Sequence, residues 1–349
     1  MDELRGELEP VIVHDRAGRE ELQPWTNAGW QVMSFGPPTP RSIARQAVLR
    51  AFGESAANRT GALVRSLTTQ ARVRAPGMTA DTGNRPGRGR AARLSRNGIE
   101  LMLFSAASPL AFRSGVPYVM VVHDLQHRIN PEFPEVSANG QWKAREYLYE
   151  NGVRFAEAVL VDSEVGREDV LEFYGHLTSP DRIRILPFVP PPYLVRPTAD
   201  ELSATLQSLR VSGSYLLFPA QFWPHKNHRR VAEAVAALHR QGVDVTVVMT
   251  GSASGDLRAR VLAEVCGIDA NEDISDLVRI LGYVDETAMA ALYAGATGVI
   301  LPTFFGPTNI PVIEGWAMGV PVLTSDIRGI REQCGDAAIL VDPLCTEAI

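Results

Sequence analysis

The sequence predicts an α/β chain of two doubly wound domains facing a cleft. Three observations lead there. Short Val/Ile/Leu runs alternate with helix-spaced stretches through the second half, which is the pattern of a parallel sheet covered on both faces. A stiff connector, Pro190-Pro191-Pro192-Tyr193-Leu194-Val195-Arg196-Pro197, separates that half from an earlier set of strands. The run Leu301 to Glu314 reads as a buried strand, a Gly/Pro/Thr/Asn turn and a helix start, the arrangement that places free N–H groups over the carboxyl edge of an open sheet.

Taken in order, the first half offers strands at Val11–His14, Gln31–Phe35, Ile99–Phe104, Tyr118–Val122 and Ala158–Val161, with a long helix within residues 137–157. It is the less regular half, and residues 72–98 read as loop. Arg72, Arg74, Arg85, Arg88, Arg90, Arg93 and Arg96 fall there among Gly, Pro, Asn and Thr. With no interleaved aromatics, a solvated loop is favoured over a nucleic-acid patch. A phosphate-bearing or lipid-linked acceptor would be its most useful functional partner. The predicted domains are 1–189 and 190–349.

In the second half, strands are expected at Tyr215–Pro219, Val245–Thr250, Val278–Leu281, Gly298–Leu301, Val320–Thr324 and Ala338–Val341. Val231, Ala234, Val235 and Leu238 have the spacing of a helix face laid on a sheet, and Glu286 to Ala294 reads as another helix. Pro311 is tolerated in a first helical turn, and Gly319 suits the helix end.

At 349 residues the chain is long enough for two cores. A net charge of −6 argues against a general nucleic-acid field. Cys266, Cys334 and Cys345 form neither a metal motif nor an even disulfide set, which suits a reducing cytoplasm. The acidic start Met1-Asp2-Glu3 is not a signal peptide, and no apolar run is long enough to span a bilayer.

Several residues could carry chemistry. Lys226 follows a strand and precedes a helix, so its ammonium can meet a pyrophosphate above the sheet edge, although a lone lysine is most often a surface residue. The N–H groups around Thr308, Asn309 and Ile310 belong to the helix start, and Glu314 lies one turn inside. A first-turn glutamate is also favoured by the helix dipole alone. His123 and Asp124 end a strand of the first domain and would face the cleft, while Asp162 reads as a helix cap. Gly251 permits close backbone approach to a base or ribose, and Tyr283 is a candidate for the base wall.

The ordered motifs across residues 99–343 resemble retaining glycosyltransferases of family 4. Glu314 falls on the second glutamate of that family's donor loop, and Met318-Gly319-Val320-Pro321-Val322 matches its sequel. Gly306 stands where the first glutamate would be. Lys226-Asn227 matches the family's Gly-Arg-x-x-x-x-Lys-Asn loop, with Ala220 and Gln221 in place of Gly and Arg. Val122-His123-Asp124-Leu125 is similar to the strand end bearing the family's cleft histidine.

The resemblance implies a GT-B fold of two Rossmann-like domains, with an irregular, incomplete N-terminal domain and C-terminal helices cut short. It implies transfer of a hexosyl group, with retention, from a UDP- or GDP-sugar to a glycan, lipid-linked or polysaccharide-precursor acceptor. His123 and Glu314 would be catalytic. Gln221, Lys226, Gly251, Tyr283, Thr308, Asn309, Ile310 and Glu314 would bind the donor. Neither metal nor cofactor is expected, since the sequence has no Asp-x-Asp triplet. The expected location is the cytoplasm or the inner membrane face. The family's Gly-Gly loop is not found, so a non-catalytic sugar-nucleotide-binding or interaction protein is the rival reading. A dinucleotide-dependent oxidoreductase is disfavoured because no Gly-x-Gly-x-x-Gly follows a strand.

Overall fold

The computed structural model describes strands Val11–His14 and Gln31–Ser34, Leu94, and residues 96–349. The first two strands, β1 (Val11–His14) and β2 (Gln31–Ser34), pair in parallel within a unit of their own. The Arg-rich stretch up to Arg93 lies outside the described residues.

Residues 86–349 form one compact unit holding two further sheets. The first sheet, in order β3-β4-β5-β6, comprises β3 (Met102–Phe104), β4 (Tyr118–Val121), β5 (Ala158–Val161) and β6 (Ile183–Ile185), all parallel. Helix α1 (Gln141–Phe155) connects toward β5, and α2 (Glu164–Tyr174) follows it. The Ser163 hydroxyl accepts the Gly166 N–H at 3.0 Å, so Ser163 caps α2. The long helix expected within 137–157 is α1, preceded by short turns and a left-handed Asn139 and Gly140 that break the chain direction.

After the connector comes α3 (Ala199–Ser208), set by a Thr198/Glu201 capping box. The second sheet has six parallel strands: β7 (Leu216–Pro219), β8 (Val247–Thr250), β9 (Val278–Gly282), β10 (Gly298–Leu301), β11 (Val322–Ser325) and β12 (Ile339–Val341). Their order is β12-β11-β10-β7-β8-β9. The first strand in sequence lies in the middle, beside the fourth, so the chain reverses its winding between β7 and β10. That gap is the topological switch point of a doubly wound sheet, where ligand crevices form.

Helices α4 (His228–Arg240), α5 (Asp256–Glu272), α6 (Glu286–Gly295), α7 (Ile310–Ala317) and α8 (Arg328–Cys334) complete this lobe. β8 and β10 are buried along their whole length, as expected of central strands covered on both faces. Val231, Ala234 and Val235 of α4 are buried against that core. Val11–His14, Ala158–Val161 and Gly298–Leu301 coincide with the sequence expectation, most other strand ends differ from it by one or two residues, and the strand expected from Ile99 begins at Met102.

Four contacts fix the switch-point loop against its neighbours. Asn227, left-handed at φ 68°, donates to the carbonyls of Pro302 and Pro343, each at 2.8 Å. Thr303 donates to the His225 carbonyl at 3.0 Å, and the Phe304 N–H donates to the same carbonyl at 2.8 Å. Gly329, in the first turn of α8, touches the same loop. An added Cβ there would lie 2.3 Å from the Pro307 carbonyl oxygen, and backbone cannot swing aside. Gly329→Ala is expected to cost about 1–3 kcal/mol through overpacking, read as a lower urea midpoint at unchanged slope.

Candidate functional site

A cavity of about 310 Å³ opens at the switch point, between the carboxyl ends of the two sheets. His123, Asp124, Asp162 and Phe188 line it from one side. His225, Lys226 and the loop from Phe305 to Pro311 line it from the other. The volume sits at the lower end of the range for small-molecule sites.

Lys226 is placed by the turn Pro224–Lys226 after β7. Its ammonium donates to Asn309 Oδ1 at 3.2 Å. Burial lowers its pKa to about 8, against an opposing pull from Asp124. Asn309 stands at the N-cap of α7 but makes no side-chain cap bond, because its oxygen is turned to Lys226. Its Nδ2 is buried without an acceptor among the described residues, and Asn309 lines the cavity. An unmatched buried donor beside an ammonium marks a place for negative charge.

The helix start itself differs in one respect from expectation. The Asn309 N–H is not free: it donates to Gln333 Oε1 at 2.8 Å, and Gln333 Nε2 donates back to the Asn309 carbonyl at 2.9 Å. The N–H groups of Thr308 and Ile310 have no backbone or side-chain acceptor among the described residues. The Thr308 hydroxyl is also committed, donating to Asp162.

His123 sits at the end of β4, its Nε2 paired with the Ser105 carbonyl at 2.7 Å and its ring stacked 6.1 Å from Phe188. Asp124 accepts from Arg145 and from the Gln126 N–H, each at 3.0 Å. Asp162 is more than the helix cap expected. Ser163 caps α2, whereas Asp162 ties β5 to the Thr308 loop. Burial raises the Asp162 pKa, partly countered by hydrogen bonds from Thr308 and Ser163.

Four predicted site residues do not line the cavity. Glu314 is buried behind it, accepting from Tyr193 at 2.8 Å and from Tyr293 at 2.5 Å. Its carboxylate is enclosed by two phenols because it faces inward from α7 toward the connector and α6. Gln221 is exposed and accepts from Arg258 at 2.6 Å and from Trp223 at 3.2 Å. Gly251 donates to the Gly282 carbonyl at 2.7 Å, and an added Cβ there would lie 2.4 Å from the Ala220 carbonyl oxygen. Tyr283 is 81% exposed. These last three trace the carboxyl edge of β7, β8 and β9, continuous with the cavity through the loop that carries Lys226.

Sequence reasoning missed Glu135, His225 and Phe305. His225 packs on Phe305 at 4.1 Å between ring centres and pairs with Glu135 at 2.7 Å. The only local signal was the position of His225 next to Lys226.

Residues 213–349 match the family described as glycosyl transferases group 1. The O-antigen chain mannosyltransferase B of Escherichia coli is 24% identical over 218 residues, 62% of this chain and 55% of that protein. The alpha-maltose-1-phosphate synthase of Mycolicibacterium smegmatis is 26% identical over 229 residues, 64% of this chain and 57% of that protein. The chain thus spans little more than half the length of these relatives. Among solved structures, Anabaena HepE in complex with UDP and glucose superposes with a TM-score of 0.64 at 15% identity, over 98% of this chain and 88% of that one. A glycosyltransferase from Rickettsia africae gives 0.63 at 15% identity, over 97% and 86%.

Glu314→Ala is expected to strand two phenol hydroxyls, lowering stability by about 2–4 kcal/mol in chemical denaturation. Glu314→Gln, which keeps one acceptor oxygen, should cost less than half of that. The described sheets have the parallel α/β architecture of GT-B glycosyltransferases, and residues 213–349 match the family described as glycosyl transferases group 1.

Proposed function

We propose that this chain binds a nucleoside-diphosphate sugar at the switch-point cavity and transfers the sugar to an acceptor with retention. The observation that carries this is the convergence, opposite His123, of Lys226, the Asn309 amide and the N–H groups of Thr308 and Ile310, the last three without an acceptor among the described residues. Those groups suit the charge of a departing diphosphate, and preorganised charge stabilisation usually contributes most of the rate enhancement in sites of this kind. The protein supplies the positive charge itself, so no metal is needed in this reading. The nucleoside would run along the edge formed by Gln221, Gly251 and Tyr283. Glu314 would act as a positioning residue, holding the start of α7 through Tyr193 and Tyr293. His123 would face the sugar. The names of the relatives, including a mannosyltransferase and a protein solved with UDP and glucose, support a hexosyl donor. A glycan or lipid-linked acceptor, and action at the cytoplasmic membrane face, belong to the same proposal. Among the described residues no helix is long and apolar enough to cross a membrane.

The test is calorimetry with UDP, GDP and their hexose conjugates, followed by a transfer assay. Lys226→Ala should weaken nucleoside-diphosphate binding about 10–100-fold, the range for losing a charge-assisted contact. Undiminished affinity would remove the phosphate from this site. Turnover should survive chelator, and its loss in chelator would count against charge compensation by the protein alone.

The pH dependence has a defined sign. Lys226 is a base whose folded pKa, about 8, lies below its ordinary value near 10.5. The charged form is lost as pH rises through 8, so diphosphate affinity should fall above that pH. Above pH 8 binding should also take up a proton, read from calorimetry in buffers of different ionisation enthalpy. Lys226→Met should abolish both effects.

A further inference from the structure

We infer that His225 is a sugar-contacting specificity residue whose Nε2, held as an acceptor by Glu135, takes a hydroxyl hydrogen of the donor sugar. This rests on the donor reading above and extends it to a residue that reading does not use.

The ring is held at Nδ1 and on one face. Glu135 Oε1 receives both the His225 backbone N–H at 3.0 Å and the ring Nδ1 at 2.7 Å. One face lies on Phe305 with planes 16° apart, and Phe133, from the same turn as Glu135, closes edge-on against Phe305 at 5.0 Å. The His225 carbonyl is taken by Thr303 and Phe304. Nε2 has no partner among the described residues and is not among the buried unmatched atoms, so it opens to the cavity that His225 lines.

A carboxylate on Nδ1 fixes the tautomer. The proton stays on Nδ1, and Nε2 is left as a lone-pair acceptor. Burial pushes the His225 pKa down and the neighbouring Lys226 ammonium adds to this, against the pull of Glu135 and Asp124. Burial acts to raise the Glu135 pKa, but the hydrogen bonds from His225 and from its own backbone, with the His225 charge, together hold it below the usual carboxylate range. The ring is therefore neutral at neutral pH and cannot donate through Nε2. A neutral acceptor is a poor partner for phosphate oxygens, which carry no hydrogen, and a good one for a hydroxyl. Adjacent residues thus divide the cavity: Lys226 marks the anionic part of the ligand and His225 the hydroxyl-bearing part. A diphosphate on Lys226 is flanked by hydroxyls on both sides, those of the ribose and those of the donor sugar; with the nucleoside along the edge of Gln221, Gly251 and Tyr283, the sugar is the source assigned to His225, and the ribose and the acceptor are the alternatives.

The experiment compares calorimetric affinities for UDP and GDP with those for UDP-glucose and GDP-mannose, using the full chain. The readout is the ratio between each conjugate and its parent diphosphate. His225→Phe keeps the stack on Phe305 and removes the acceptor. It is made alone and with Glu135→Gln, so that no buried carboxylate is left bare, and melting curves confirm folding. The expected result is diphosphate affinity within about twofold of the parent chain and conjugate affinity about 3–10-fold weaker, the range for one neutral hydrogen bond. Glu135→Gln alone, which frees the tautomer, should lower the same ratio by a smaller factor. In the parent chain the ratio should fall on acidification, as His225 gains a proton and Nε2 becomes a donor, and the Phe variants should lack that fall. Equal loss for diphosphates and conjugates would assign His225 to a ribose contact or a structural role and overturn the inference. An unchanged conjugate ratio, with only the acceptor KM raised in the transfer assay, would assign the hydroxyl to the acceptor and overturn it as well. Absence of any nucleotide binding by the parent chain would overturn the donor reading first and this inference with it.

Discussion

The site depends on an ammonium drawn partly out of water at the point where the second sheet reverses its winding. Among the described residues Lys226 has one neutral hydrogen-bond partner for its ammonium, Asn309, and feels only a distant carboxylate, Asp124. Desolvation of that charge is therefore not fully offset within the protein, and the depressed pKa expresses the deficit. The deficit also raises the field available to an anion. Had a carboxylate been placed against Lys226, the charge would be satisfied and the cavity would have little attraction for phosphate. The neutral Asn309 holds the ammonium in place without cancelling it, while its own amide stays unmatched.

Keeping such a site assembled requires that the two lobes meet in register, and the contacts that do this are mostly polar and long-range. Asp162 reaches Thr308, and Glu135 reaches His225. Glu332 accepts the first N–H groups of α2, from Glu164 and Val165, at 2.7 and 2.8 Å. Arg328 pairs with Asp169 at 2.6 Å. An apolar seam would favour closure more strongly but tolerate sliding. Directional bonds at the ends of β5 and α2 define one alignment of the cavity walls. Phe133, packed on Phe304 and Phe305, supplies the apolar part of the seam.

The sequence disclosed the sheets well because their strands are buried on both faces, and continuous Val/Ile/Leu runs such as Gly298–Leu301 admit few other structures. It disclosed Lys226 and the α7 start because both follow such strands directly. Helix α3 was legible in principle from the Thr198-x-x-Glu201 capping box, although none of its residues is fully buried. The partners of the site residues were not legible. Glu135 lies 90 positions from His225, and Asp162 lies 146 from Thr308. No local pattern encodes those distances. Glu314 shows the same limit in reverse. Its place on the helix was correct, but which way a carboxylate one turn into α7 faces is decided by Tyr193 and Tyr293, from the connector and from another helix.

Gly306 bears on why the loop departs from the pattern it resembles. Space does not forbid a side chain, since a Cβ there would meet only the Thr308 carbonyl oxygen, at 3.4 Å. The backbone does: φ is +136°, a conformation that L side chains rarely adopt. This turn delivers the Thr308 hydroxyl to Asp162, while Asn309 is clasped by Gln333. A glutamate at 306 would have to give up that turn, and with it the bond from Thr308 to the first sheet. In this chain the loop is therefore shaped to dock on the opposite lobe, and the negative charge that a glutamate would bring is kept away from Lys226. The two consequences reinforce each other, because a loop that closes the cavity and an ammonium left without a counter-charge both make the enclosed space attractive to an anion.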